Sequence, residues 1–240
     1  MVLTDFACVL ADTARSRAYI QTLLQHDMIP AKCLVMSEGA GVKISREIPC
    51  KWDAQQFFDL DESIFETMAA HGVSYQAAAS KDINSDEMRS AIQRLSQKYI
   101  LYSGYGGAIL RPHLFQMGKR WIHVHAGILP FYRGSTTAYY SLLDRDKMGA
   151  TAIFLNERID EGSVIASEEF PPPPRGELVD YVYDPHIRAQ VLVKALESYI
   201  QNGEFHEMPQ TAQGAETYYI IHPVLKHIAI LGVDSNEEPK

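Results

Sequence analysis

Short apolar runs alternate with helical patterns along the first hundred residues, and few folds accommodate that alternation. Residues 6–10 form an apolar run, residues 13–26 a helical pattern, and residues 32–36 a second apolar run. The unit recurs as a helix over 61–71 stopped by Gly72, a strand over 73–78, a helix over 85–97 and a strand over 99–103. Ser85 followed by Asp86 and Glu87 marks a helix start, with acids near the positive end of the dipole. Strands separated by helical crossovers pair in parallel, so the expected fold class is α/β, a mainly parallel sheet with helices on both faces. Residues 39–58 lack periodicity and read as a long surface connection.

Residues 121–162 carry the chemistry. An apolar strand delivers His123 and His125 to a turn rich in glycine and proline, and a second apolar strand delivers Asp160 to another turn. Strand alternation puts positions 123 and 125 on one face, roughly 6.5–7 Å apart, where two imidazoles can serve one ligand. In open α/β sheets ligands bind outside the carboxyl ends of the strands, and all three residues fall at or just after such ends in this reading. Parallel strands would then bring Asp160 to the histidines. A facial His-His-carboxylate metal site is one alternative, and a purely structural pair of histidines is another. The His-x-His of metal-dependent barrels fits poorly, because the 115 residues after His125 are too few to complete a barrel. Gly104, Gly106 and Gly107 do not have the dinucleotide spacing, which argues against NAD and for a turn that a flat ligand can approach. His113, His222 and His227 read as surface or packing residues.

The block His123-Val-His125-Ala-Gly-Ile-Leu-Pro130, then Arg133-Gly134, then Asp160-Glu-Gly162, resembles the N10-formyltetrahydrofolate-dependent formyltransferase family. That family includes glycinamide ribonucleotide, methionyl-tRNA and nucleotide-sugar formyltransferases. Its pattern is Asn-x-His-Pro-Ser-Leu-Leu-Pro, a following Arg-Gly and a later Asp-x-Gly. The resemblance covers roughly the first two-thirds of the chain. It implies a Rossmann-like formyltransferase fold with N10-formyltetrahydrofolate as formyl donor. His125 and Asp160 match the family's catalytic His and Asp. His123 stands at the catalytic Asn, and Ala126-Gly127 replace Pro-Ser. By the same resemblance Tyr105, Gly107, Ile109, Leu110, Asn156 and Arg158 contact the folate. Tyr132, Arg133, Ser135, Thr136 and Tyr139 are expected to contact the acceptor, with Arg133 alternatively holding its loop to an acidic neighbour.

Moving a formyl group to an amine passes through a tetrahedral intermediate whose oxygen becomes negative, so preorganised N–H donors aimed at it accelerate the reaction. His125 suits that role. Asp160 would orient the ring, raise its pKa and accept the proton of the attacking amine. His123 would replace the amide with its own N–H, but an imidazole titrates near neutrality, so activity should depend steeply on pH. A formyltetrahydrofolate hydrolase, or a diverged, metal-binding protein of the same fold, remains as an alternative.

Charge narrows the acceptor. The chain carries a net charge of −8, and after Pro174 five basic residues stand against ten acids. Such a surface cannot grip a phosphate backbone by counterion release, so nucleic acid and anionic membrane are excluded as partners and a small-molecule amine is expected, an amino sugar by analogy. A homodimer is compatible with the sequence. Pro171–Pro174 reads as a stiff connector and places a boundary between a catalytic domain over 1–170 and a small α+β appendage over 171–240. In that appendage Ile187, Val191, Ala195 and Tyr199 repeat along one helix closed by Gly203, and a strand followed by a helix starting at Pro223 should come after it. Asp5 interrupts any apolar leader, and the apolar stretch over 218–233 is too short and too interrupted to span a bilayer, which points to a cytoplasmic protein. Cys8, Cys33 and Cys50 form no CxxC pair and are expected to be structural thiols.

Overall fold

The computed structural model describes residues 1–37, 57–78 and 80–235. The chain opens with β1 (Val2–Ala11), α1 (Ala14–Gln25) and β2 (Ile29–Met36). It continues through α2 (Ile64–Ala70), β3 (Tyr75–Ala78), α3 (Asp86–Gln93), β4 (Tyr99–Ser103), α4 (Pro112–Phe115) and β5 (Arg120–Ala126). Polar side chains start the helices where backbone amides lack partners. Thr13 accepts from the Ser16 amide at α1, Ser63 and Glu66 cap α2 reciprocally, and Ser85 accepts from the Met88 amide at α3.

The main sheet runs β3-β2-β1-β4-β5 with all neighbours parallel, as the alternation of elements predicts. Strand order reverses at β1, so the carboxyl ends of β1 and β4 border the crevice where such sheets bind ligands. Two further strands depart from expectation. After β6 (Arg133–Gly134) and α5 (Thr137–Arg145), β7 (Met148–Phe154) pairs antiparallel with β5, and β8 (Val164–Phe170) pairs antiparallel with β7. Asp160 therefore reaches the histidines by a different route from the parallel strand end expected of it. It sits in the link between two antiparallel strands, which folds back along β5.

A π-helical turn (Val179–Tyr183) leads into α6 (Asp184–Asn202). The expected stripe is there, with Ile187, Val191 and Ala195 fully buried. It is buried against the sheet: these residues join Phe6, Leu10, Tyr99 and Val124 in one hydrophobic cluster. Phe6 stacks on Tyr99 with centroids 4.9 Å apart, and Tyr199 and Phe205 close the group with centroids 4.7 Å apart. The boundary expected at Pro171 thus runs through one core. Four prolines interrupt secondary structure, but an amphipathic helix still buries its apolar face on the nearest apolar surface. Helix α3 and α4 cover the opposite face through Met88, Ile92 and Leu114. Finally β9 (Thr217–Tyr218) pairs with β6, and α7 (Pro223–Ser235) packs Ala229 and Val233 into the first cluster.

Cys8 and Cys33 are buried neighbours in the β1–β2 register and carry free thiols. Cys50 and nearly all of the connection expected over 39–58 lie outside the described residues; its last residue, Phe58, is buried. No helix among the described residues is long and apolar enough to cross a membrane.

Candidate active site

Strand β5 presents His123 and His125 on one face, but they meet different partners. His125 is 4% exposed. Its Nε2 lies 2.6 Å from the Tyr132 carbonyl, which can only accept, so this nitrogen carries a proton. Its Nδ1 lies 3.4 Å from Asp160 Oδ2. A second proton placed between Nδ1 and Oδ2 would give each of them a hydrogen-bond partner. Thr137 Oγ1, which donates to the Ala126 carbonyl, is 3.4 Å from Nε2 and closes the far side.

Two motif glycines hold Asp160 in place. Asp160 itself has φ +55, a left-handed conformation that aspartate tolerates better than most residues. Its Oδ2 accepts the Gly134 amide at 2.8 Å. Gly134, the second residue of the Arg-Gly pair, has φ +99, and a Cβ there would lie 2.1 Å from the Tyr218 carbonyl oxygen. Gly162, the end of Asp-x-Gly, packs so tightly on β7 that a Cβ would lie 1.6 Å from the Phe154 carbonyl oxygen. Gln210 secures the same turn, donating at 2.7 Å to the Asp160 carbonyl and at 2.8 Å to that of Gly162.

Next to this pair opens a cleft of about 130 Å³, whose wall includes His123 and Asp160. Tyr102, Leu110, Phe115 and Leu155 give it an apolar lining, and Ile109, Asn156 and Arg158 form its rim. Four of the six expected folate contacts, Ile109, Leu110, Asn156 and Arg158, therefore gather at one cleft. Tyr105 and Gly107 do not line it. The Tyr105 hydroxyl donates to the Met36 carbonyl at 3.3 Å, and Gly107 makes an exposed turn with φ +79.

The expected acceptor contacts mostly serve the scaffold. Tyr132 is 3% exposed, stacks on Tyr218 and donates its hydroxyl to Asp144. Its contribution to the site is its carbonyl. Arg133 donates to Gln210 Oε1 at 2.8 and 3.1 Å and lies 3.5 Å from Glu161, which matches the alternative of an arginine tying down its own loop. Ser135 donates its amide to the Tyr218 carbonyl, and its side chain is exposed. Thr136 Oγ1 accepts from the Ile221 amide at 2.8 Å. Tyr139 is buried, with the Lys226 ammonium 4.6 Å from its ring centroid. A short turn rich in polar residues looks like a binding loop in sequence; here most of its polar groups are taken up by Asp144, Gln210 and the chain around β9.

Electrostatics revise two expectations. Burial pulls the His125 pKa below its ordinary value and outweighs the upward pull of the Asp160 carboxylate and the Tyr132 carbonyl. Burial likewise holds His123 well below its ordinary value, reinforced by the Arg188 and Arg15 guanidiniums and by His125. Both causes disfavour a charged His123 ring near neutrality, which runs against the steep titration expected of it. Among the described residues no group of three His, Cys, Asp or Glu side chains is placed to hold a metal ion. His123 Nε2 lies 3.5 Å from the Arg188 guanidinium, a cation that would repel a metal ion there.

Sequence reasoning passed over Tyr102, Gln210 and Arg188. Arg188 had a signal: it interrupts the apolar stripe of α6 and lies one turn after Asp184, its ion-pair partner at 3.1 Å. Gln210 had none, since it lies in an irregular stretch with no periodicity.

Residues 34–183 match the family model described as formyl transferase. The methionyl-tRNA formyltransferase of Finegoldia magna is 36% identical over 90 residues, which are 37% of this chain and 29% of that protein. The methionyl-tRNA formyltransferase of Cutibacterium acnes is 28% identical over 159 residues, 65% of this chain and 49% of that protein. The chain thus spans half or less of the length of these curated relatives. Among solved structures, the N-formyltransferase of Helicobacter canadensis in complex with folinic acid and dTDP-3-aminofucose superposes with a TM-score of 0.60 at 13% identity, over 95% of this chain and 80% of that one. That likeness is one of fold. The family match spans more than half of the chain and contains His123, His125 and Asp160, and this chain belongs to the formyl transferase family.

Proposed function

We propose that this protein is an N-formyltransferase that moves a formyl group from N10-formyltetrahydrofolate to the amine of a small acceptor. The observation that carries this reading is the His125–Asp160 pair, Nδ1 to Oδ2 3.4 Å, whose carboxylate also walls an apolar cleft in a chain of this family. The flat ring system of a folate suits the Leu110, Phe115 and Leu155 lining. In the proposed reaction the amine nitrogen attacks the formyl carbon and the formyl oxygen becomes negative. The ammonium proton passes to Asp160, directly or through one water, and is shared with His125 Nδ1. Collapse breaks the bond between the formyl carbon and N10, and the pair returns a proton to the leaving nitrogen. Tetrahydrofolate and the formamide are the products.

The acceptor in this reading is a nucleotide-linked amino sugar. The relative from Helicobacter canadensis was solved with such a compound. The net charge of −8 opposes a polyanionic acceptor such as tRNA. The test has two stages. Calorimetry with 5-formyltetrahydrofolate should give micromolar binding to wild type. Donor turnover is then followed with a panel of nucleotide amino sugars, free amino acids and charged tRNA. Turnover that requires one of the sugars supports the reading. Absence of folate binding, or turnover equal with and without any amine, overturns it, the second result pointing to a hydrolase.

A further inference from the structure

His123 occupies the position where the family pattern has an asparagine, and both of its ring nitrogens are engaged. Nδ1 lies 3.3 Å from the Tyr102 carbonyl, which can only accept a hydrogen bond. Nε2 lies 3.5 Å from Arg188 Nη2, which can only donate. One arrangement satisfies both contacts: the proton on Nδ1 and the lone pair on Nε2. The opposite tautomer would set an N–H against a guanidinium and leave the Tyr102 carbonyl facing a bare lone pair.

Arg188 is itself held from two sides. It is 7% exposed, its Nη1 lies 3.1 Å from Asp184 Oδ2, and its Nη2 also donates to the Val124 carbonyl at the end of β5. It lies on α6 beyond residue 183, where the family match ends. We propose that Arg188 is a positioning residue that holds His123 as its Nδ1–H tautomer, so that a neutral imidazole backed by a guanidinium stands in the cleft wall where the family has one amide. The consequence for catalysis rests on the formyl-transfer reading; the tautomer does not.

The pairing answers a physical problem. An amide keeps its charge state at any pH, whereas an imidazole exchanges protons near neutrality. The groups that face the His123 ring are Arg188 from α6, Arg15 from α1, His125 from its own strand and the Tyr102 carbonyl from β4. Asp184 and Tyr19 act on the two guanidiniums. Arg188 Nη2 stands 3.5 Å from Nε2, with Asp184 behind the guanidinium and Asp160 in the same cleft wall, and the field of that adjacent guanidinium opposes a proton on Nε2. The same field favours negative charge developing on an oxygen bound beside His123. In this arrangement a guanidinium that the reactants do not touch supplies electrostatic stabilisation through a ring that lines the cleft.

The experiment is long-range proton–nitrogen NMR on the uniformly labelled full chain, with the His123 signals identified by their loss in His123→Asn. Wild type should show a protonated Nδ1 and a bare Nε2 from about pH 8 down to about pH 5, with no titration between them. In Arg188→Met the two tautomers should mix and the ring should titrate nearer its ordinary value, and Arg188→Lys, which keeps the charge, should restore the wild-type behaviour. A protonated Nε2 in wild type overturns the proposal, as does an unchanged tautomer in Arg188→Met. Should Arg188→Met fail to fold, the pair Asp184→Asn with Arg188→Met removes both buried charges, and the wild-type spectrum decides the tautomer by itself. With 10-formyltetrahydrofolate and a competent amine, Arg188→Met should lower kcat about tenfold with KM little changed, the size of one lost charge-assisted hydrogen bond. If wild type formylates no amine, the functional reading fails, and the NMR result still stands or falls independently.

Discussion

Replacing Asp160 with asparagine separates the chemistry of that residue from its place in the fold. The carboxylate Oδ2 accepts the Gly134 amide at 2.8 Å and lies 3.4 Å from His125 Nδ1. An asparagine keeps an oxygen for Gly134 and tolerates φ +55 nearly as well as aspartate. The scaffold should therefore lose little: exchanging a charged acceptor for a neutral one costs about 1 kcal/mol, partly offset because a buried carboxylate no longer has to be desolvated. For a chain of this length that corresponds to a drop of roughly 2–4 °C in Tm. The chemistry should lose far more. Removing the proton acceptor alone is worth about 10²–10⁴ in rate. The imidazole also loses the largest pull that raises its pKa, leaving the Tyr132 carbonyl and Asp184 to oppose burial, so the His125 pKa falls further and a proton is less available for the leaving nitrogen. Donor turnover with the competent amine, measured beside a thermal melt, should show kcat/KM down by about two to four orders of magnitude with the melt nearly unchanged. Asp160→Ala is the contrast: it orphans the Gly134 amide and puts a non-glycine Cβ in the left-handed region without the aspartate side chain, so its melt should fall by more. Turnover by Asp160→Asn within about threefold of wild type would refute the role of the pair in proton transfer.

Further outcomes follow from the same geometry. Gly162→Ala drives a Cβ to 1.6 Å from the Phe154 carbonyl oxygen, so chemical denaturation should show a loss of about 3 kcal/mol or more together with impaired folate binding; unchanged stability would mean the turn has room to open. His123, His125 and His186 all have pKa values lowered by burial, His186 to about 4. The unfolded chain binds protons from its ordinary value of 6.5 downward while the native state refuses them, so stability is full above that pH and is lost as pH falls, by up to about 1.4 kcal/mol per pH unit for each histidine. His123→Asn should flatten that slope in denaturation curves taken below pH 6.5, and an equal slope in both proteins counts against a buried neutral ring. The Tyr102 hydroxyl is buried at the cleft with no hydrogen-bond partner among the described residues. Tyr102→Phe should leave stability equal or slightly higher and weaken 5-formyltetrahydrofolate binding severalfold by calorimetry; unchanged affinity would mean the hydroxyl does not meet the ligand.

The fold was legible where periodicity alone decides. Strand β4 occupies residues 99–103 as expected, and α1, β2, α3 and α6 appear within a few residues of their patterns, because each has a cap, an apolar stripe or a short apolar run. Periodicity is silent about strand direction. Nothing in residues 148–154, a mostly apolar and fully buried strand, distinguishes a parallel from an antiparallel neighbour, and both β7 and β8 proved antiparallel. The prolines at 171–174 show the limit of reading breaks as boundaries. They end β8, but the stripe of α6 is as apolar as the sheet beneath it, and the core closes across the break.

Within the site, residues whose backbone role is local could be read from the motif, and residues whose role depends on the opposite side of the molecule could not. Asp160, Gly134 and Gly162 belong to the first kind, since a left-handed aspartate and glycines pressed against carbonyls leave a signature of two short motifs. Tyr132 and Thr136 belong to the second. Their polar groups look available until the fold closes: the Tyr132 hydroxyl donates to Asp144 on α5 while Tyr218 of β9 covers its ring, and Thr136 meets Ile221 nearly ninety residues downstream. His123 combines both kinds. Its position marks it as the replacement for an amide, but its charge state is decided by Arg188, a cation on an otherwise apolar helical stripe. A buried cation with one carboxylate partner is expensive unless it also satisfies neutral acceptors. Arg188 does so through the Val124 carbonyl and the His123 ring, and that requirement ties α6, outside the family match, to the carboxyl end of β5.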